Sequence, residues 1–201
     1  MPLDPSLAQS NIRSTFPGRR VGGATRGDCT ARLIIHLVPP SSVYAPGPEG
    51  LVALLQGPAQ QPRPLEVVVK PYAQPGVSAP TPQVFHRQEL PAASAGVTVL
   101  RLPLRGQLEW SSSFACGHPV DPAQSIDPLS EEAMVTEDGP PARSLLVMDA
   151  TPADLEFQAR IRSLLAMCGK TIARDQLVGW FLVQDGINDQ WPSQLPVRCP
   201  S

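Results

Sequence analysis

Twenty-five prolines in 201 residues set the first limit on what this chain can fold into. Proline fixes φ and lacks a backbone N–H, so it stays out of helix interiors and central strands. That density demands many short elements joined by rigid connections. An all-β domain with long loops meets the demand better than a helical bundle does. With 42% apolar residues the chain can still bury a core, and its length suits one domain with or without a small appendage. Only 17% of residues are charged and the formal net charge is -2. Neutralising a phosphate backbone takes clustered Lys and Arg, so this balance argues against a nucleic-acid partner.

The prolines and glycines punctuate seven strand-like runs. They are Ala31 to Val38, Gly50 to Gln56, Pro64 to Lys70, Pro82 to Leu90, Gly96 to Pro103, Gln107 to Cys116 and Ala142 to Asp149. About seven short strands with turn signals between them predict a mainly β fold, an antiparallel, immunoglobulin-like β-sandwich. The division expected is an extended N-terminal arm over 1–17, a sandwich over 18–150, and C-terminal helices and tail over 151–201. A Pro-, Asp- and Glu-rich stretch from Asp121 to Pro141 lacks periodicity and reads as a long loop.

The pattern changes at Thr151, which is a good N-cap with Pro152 at the first helical position and Asp154 in the first turn. Phe157, Ile161, Leu164, Leu165 and Cys168 fall on one stripe, and Gly169 can take the left-handed position beyond the helix end. A second helix is expected from about Thr171 to Val183, followed by an irregular tail. Together these make a small helical subdomain.

The apolar runs "LIIHLV" and "LVALL" are strand-length, far short of the ~20 residues a membrane helix needs. "MPLDPSLAQSNIRST" has no apolar core of a signal peptide, although "SLAQS" resembles the end of one. The four cysteines, Cys29, Cys116, Cys168 and Cys199, lie too far apart for CxxC zinc or redox motifs. An even number at wide spacing suits two disulfides in an oxidising compartment, with three pairings open. Buried free thiols are the alternative.

The densest signal is "GRRVGGATRGDC", Gly18 to Cys29. Two readings of it stand. Gly22, Gly23 and Gly27 can turn successive N–H groups to one side, letting Arg19, Arg20 and Arg26 hold an anion through forked hydrogen bonds. Alternatively the arginines tie down carbonyls that the loop leaves free. It is no phosphate-binding P-loop, because it lacks the Lys-Ser/Thr ending and opens no helix.

These residues resemble an arginine/glycine signature, GRR-x-GG-x-TRG-x-C, that opens an uncharacterised domain common in cyanobacterial secreted proteins. "VTVLRLPLRGQLEWSSSFAC" is similar to that family's hairpin, and "PLEVVVKPY" stands where the family has an aromatic strand running into Pro-Tyr. The resemblance spans about Gly18 to Ala150. It departs at Ala24, where the family has glycine, in the Val-rich strand, and in "VGWFLV" near the C-terminus. The resemblance implies secretion, supplies no catalytic residues, and implies that Cys29 pairs with Cys116, leaving Cys168 with Cys199.

Other chemistry-bearing residues have plain readings. His36, His86 and His118 are isolated and lack metal-ligand spacing. His36 lies in an apolar strand and reads as a satisfied core residue. A Cys116 nucleophile would need a free thiolate, and no Gly-x-Ser-x-Gly elbow exists. "DGINDQ", Asp185 to Gln190, departs from the calcium-loop pattern and reads as a turn. Glu131, Glu132, Glu137 and Asp138 read as a solvated face. Trp110 reads as core, and Trp180 and Trp191 as packing between helices and sheet, or one of them as an exposed contact residue. No cofactor or metal is expected. The expected function is a periplasmic or extracellular binding or structural module of the cell envelope, whose partner is a protein or envelope component. An extracytoplasmic hydrolase and a subunit of an extracellular filament or oligomeric assembly are the alternatives.

Overall fold

The computed structural model describes residues 12–23, 33–73, 84–115 and 140–200. Among them the fold is mainly β, with eleven strands, two longer helices and a helical turn at 12–15. The strands are β1 (Val21–Gly22), β2 (Ile34–His36), β3 (Val43–Tyr44), β4 (Leu51–Gln56), β5 (Leu65–Pro71), β6 (His86–Leu90), β7 (Gly96–Arg101), β8 (Leu108–Phe114), β9 (Ala142–Leu146), β10 (Thr171–Ala173) and β11 (Gln194–Arg198). The helices are α1 (Pro152–Leu165) and α2 (Arg174–Phe181). One sheet runs β1-β2-β4-β7-β11-β10 and the other β3-β9-β8-β5-β6.

Burial follows the sequence patterns. β4 is apolar almost throughout and buried throughout, as a strand covered on both faces must be. β5 alternates, with Leu65, Val67 and Val69 fully buried between half-exposed neighbours. The two sheets share one core cluster that includes Ile34, Leu54, Leu65, Trp110 and Leu146.

Each of the seven runs named above contains a strand, β2 and β4 to β9. The expectation of a purely antiparallel arrangement is corrected, because both sheets are mixed. β3 runs parallel to β9, and β11 runs parallel to β7. Parallel neighbours need long crossovers, and here whole sections of the chain intervene. The stretch expected to begin a second helix at Thr171 opens instead as β10, which pairs with β11 before α2 starts at Arg174. The stretch expected to be an irregular tail supplies β11. Pro196 is tolerated inside that strand because pairing with β7 begins only at Val197. So the C-terminal segment extends a sheet as well as providing helices.

α1 starts as its sequence dictates. Thr151 caps the helix, its hydroxyl accepting from the Asp154 N–H while the Asp154 carboxylate accepts from the Thr151 N–H. Phe157, Ile161 and Leu164 are buried against the core. Near the N-terminus, Ile12 and Phe16 are buried with Val43, Ala45, Leu145 and Val147, so the described part of the arm lies on the body. Among the described residues no helix is long and apolar enough to cross a membrane.

Cys168 and Cys199 form a disulfide with Cα atoms 5.7 Å apart. Two hydrogen bonds flank it, Gly169 N–H to Val197 O and Val197 N–H to Lys170 O, both 2.9 Å. Cys29, Cys116, His118 and the acidic residues between Asp121 and Pro141 lie outside the described residues.

Candidate functional site

Half of the arginine/glycine loop is described, and its contacts are internal. Arg19 joins β9 through its backbone, its N–H donating to Arg143 O at 3.0 Å and its carbonyl accepting at 2.6 Å. The Arg20 N–H donates to Ser42 Oγ at 3.0 Å. Its guanidinium donates to Val38 O at 2.9 Å, Phe181 O at 3.2 Å and Leu182 O at 2.7 Å. The last two carbonyls close α2, where Leu182 takes a left-handed conformation at φ 54°. Arg20 thus supplies donors that the helix end lacks. Burial lowers its pKa from the ordinary value, with Asp185 acting in the opposite sense. A Cβ on Gly22 would collide with the backbone of Pro141 and Ala142, so close strand approach requires glycine there. Gly23 has φ 136° and its N–H donates to Pro140 O at 3.0 Å. Arg26 lies outside the described residues.

Two polar centres lie inside the fold. His36, on β2, crosses to the opposite sheet, where Nδ1 is 2.8 Å from Ser144 Oγ and Nε2 is 2.9 Å from Ser112 Oγ. Its ring stacks on Trp110 at 3.5 Å. The histidine is 0% exposed, and burial holds its pKa well below the usual histidine range. Histidine between two serines has the residue types of a nucleophilic site. Here both ring nitrogens are engaged and substrate has no access. The second centre is Asp154, also 0% exposed. Its carboxylate accepts from Arg13 at 2.8 Å, Thr151 N–H at 2.7 Å, Thr151 Oγ1 at 2.8 Å and Ala45 N–H at 3.2 Å. It binds the N-terminal arm, the chain after β3 and the start of α1 into one joint.

Among the described residues, one open site is a cleft of about 450 Å³ at the seam between the sheets. β6 is an edge strand of one sheet and places His86 and Gln88 beside it. These residues pair with Val69 and Val67 of β5, so they occupy the core-facing side of their sheet. Opposite lie Leu51, Val99, Leu100 and Arg101 of β4 and β7. Leu165, Cys199 and Pro200 close the third side. β11 pairs with β7 only at Val97 and Thr98, and this leaves the edge from Val99 to Arg101 beside the cleft. Pro200, two residues beyond the last pair, has no N–H with which to extend the ladder. Nε2 of His86 is shielded from solvent and has no hydrogen-bond partner among the described residues. The Arg101 guanidinium is 3.7 Å from Glu49, with both side chains more than half exposed.

Sequence reasoning did not single out this cleft. A signal was present in "HRQEL", which puts His86 and Gln88 at the alternate positions that end in buried Leu90. Polar residues on the inward face of a strand need either partners inside the core, as His36 has, or an opening, as here. Other sequence-predicted residues among those described pack or turn the chain. Trp110 and Trp191 are buried, and Trp180 is packed against the core. In "DGINDQ", Gly186 has φ 81° and the Gln190 N–H donates to Asn188 Oδ1 at 3.0 Å, a turn. Among the described residues no group of three His, Cys, Asp or Glu side chains is placed to hold a metal ion. Comparison of the chain with protein-family models, with curated proteins and with solved structures finds no match.

Proposed function

We propose that this chain is a non-catalytic binding or structural module of the cell envelope, working in the periplasm or outside the cell. His36 carries the non-catalytic reading. It has the strongly displaced titration and the serine neighbours of a reactive group, yet it is sealed in the core with both nitrogens bonded. An extracytoplasmic hydrolase would set such a histidine in a cleft beside a carboxylate. The Cys168–Cys199 bridge supports an oxidising compartment. The arm residues Ile12 and Phe16, packed on the body, favour a self-contained module over a filament subunit that lends its arm to a neighbour. We read the two sheets as a sandwich of immunoglobulin-like layout, supported by the His36 side chain of β2, which reaches Ser112 of β8 and Ser144 of β9. The likeness to cyanobacterial secreted domains fits this reading.

The test is thiol trapping in the cells that make the protein. Rapid alkylation on lysis, followed by intact mass, should leave Cys168 and Cys199 unmodified until reductant is added. Full alkylation without reductant overturns the compartment. Turnover of ester, glycoside, phosphate or peptide substrates that survives repurification overturns the non-catalytic reading.

A further inference from the structure

We infer that the seam cleft binds an apolar chain ending in a carboxylate, with Arg101 as the charge partner. This deepens the binding-module reading and rests on it for its biological meaning. The walls contributed by Leu51, Val99, Leu100 and Leu165 are apolar. The polar groups beside them, His86, Gln88 and Arg101, come from two facing sheets. A few convergent polar groups on an apolar lining are the mark of a small-ligand site.

The chemistry selects an anion. Among the described residues lining the cleft, Arg101 alone carries a fixed charge. Arginine presents paired donors that match a carboxylate. Its present partner, Glu49, is held at 3.7 Å in an exposed pair, and such pairs are weak and easily exchanged. Gln88 can donate through its amide. At about 450 Å³ the cleft falls within the range of small-ligand pockets. That suits a medium-chain fatty acid or the last two residues of an apolar peptide with a free C-terminus.

The experiment is calorimetric titration of the disulfide-intact chain with decanoate, decanol, acetate, and an apolar dipeptide with its C-terminus free or amidated. Decanoate should bind saturably at one site, with decanol and acetate at least tenfold weaker. Arg101→Gln should weaken decanoate binding tenfold or more, since a charge-assisted fork is lost. Glu49→Gln, which removes the competing carboxylate, should leave binding equal or tighten it two- to threefold. The dipeptide arms distinguish a fatty acid from a peptide C-terminus. Absence of saturable binding by both decanoate and the free dipeptide overturns the inference. So does equal decanoate affinity in the parent and Arg101→Gln, because adsorption to apolar surface would explain it. If the parent instead hydrolyses decanoate esters while Arg101→Gln loses binding, the cleft assignment stands and the non-catalytic reading falls.

Discussion

His36 and His86 lie on opposite sheets of the same core, and their surroundings differ in one decisive respect. Both ring nitrogens of His36 face serine hydroxyls within 3 Å, and its ring lies flat on Trp110. His86 stands on an edge strand beside an open cleft, with Nε2 unpartnered. A buried polar group with full partners holds two sheets in register. A shielded one without a partner costs free energy. Histidine therefore serves as a strut in the centre of this molecule and as part of the lining of an open cleft at its seam.

Removing the central strut tests that contrast hardest. His36→Ala leaves two buried hydroxyls and one face of Trp110 without partners and opens a cavity. It should cost about 4 kcal/mol, by analogy with truncation of large core residues. Urea unfolding followed by the intrinsic tryptophan signal measures it. A loss below about 1 kcal/mol would mean that the sheets do not depend on this contact.

Next in size is the disulfide that borders the cleft. Opening the Cys168–Cys199 bridge by Cys168→Ser with Cys199→Ser should cost about 3 kcal/mol through the entropy of the unfolded chain. The loss should be visible as a lower urea midpoint in non-reducing buffer. Retention of decanoate binding in the same variant would show that β11 stays seated through its pairing with β7 and β10 without the bridge.

The strut also predicts a dependence on acidity. Burial depresses the pKa of His36 in the folded protein, so the unfolded chain takes up the proton first as pH falls. Its contribution is therefore complete above about pH 6.5, the ordinary histidine value, and declines below it by about 1.4 kcal/mol per pH unit until the folded-state pKa is reached. Stability curves between pH 7.5 and 5 should show this slope in the parent. His36→Gln, which cannot titrate, should lack it. Equal slopes would place the proton-linked loss on other groups.

How far the sequence reveals these regions depends on the distance between partners. The polar residue inside "LIIHLV" is visible at once, and its burial follows from the strand around it. Ser112 and Ser144, its partners, arrive from strands 76 and 108 residues away, and no local pattern announces them. The capping box of α1 is legible because Thr151 and Asp154 are three residues apart. β3 is two residues long, too short to show alternation, and β11 alternates Leu195 and Val197 but carries a proline between them, which argues against a strand. Both pair in parallel with strands remote in sequence, which is why an antiparallel layout was the natural expectation. The arginine loop leaves two readings open for the same reason. The carbonyls that occupy Arg20 belong to Val38 nearby but also to Phe181 and Leu182, about 160 residues on.

Arg20 supplies a test of intermediate size. Arg20→Met keeps much of the side-chain volume and removes the donors to three carbonyls. It should cost about 2 kcal/mol, less than the sum of three charged hydrogen bonds because the site is partly open to water. Hydrogen exchange should localise the loss to the end of α2. An unchanged midpoint combined with lost stabilisation by sulfate would return the loop to anion binding.

The smallest effect is predicted at the seam. His86→Ala removes an imidazole whose shielded nitrogen has no partner, from a half-exposed position on an edge strand. The packing it loses and the unsatisfied polar atom it sheds act in opposite directions. The net change should lie within about 0.5 kcal/mol of zero, in the range of substitutions away from structural features. The same substitution should weaken decanoate binding, because the ligand loses a polar neighbour. A site kept for binding shows that pairing of small stability change with clear affinity change. If His86→Ala destabilises the protein as much as His36→Ala does, the two histidines are both struts, and the cleft is a packing gap that the fold tolerates.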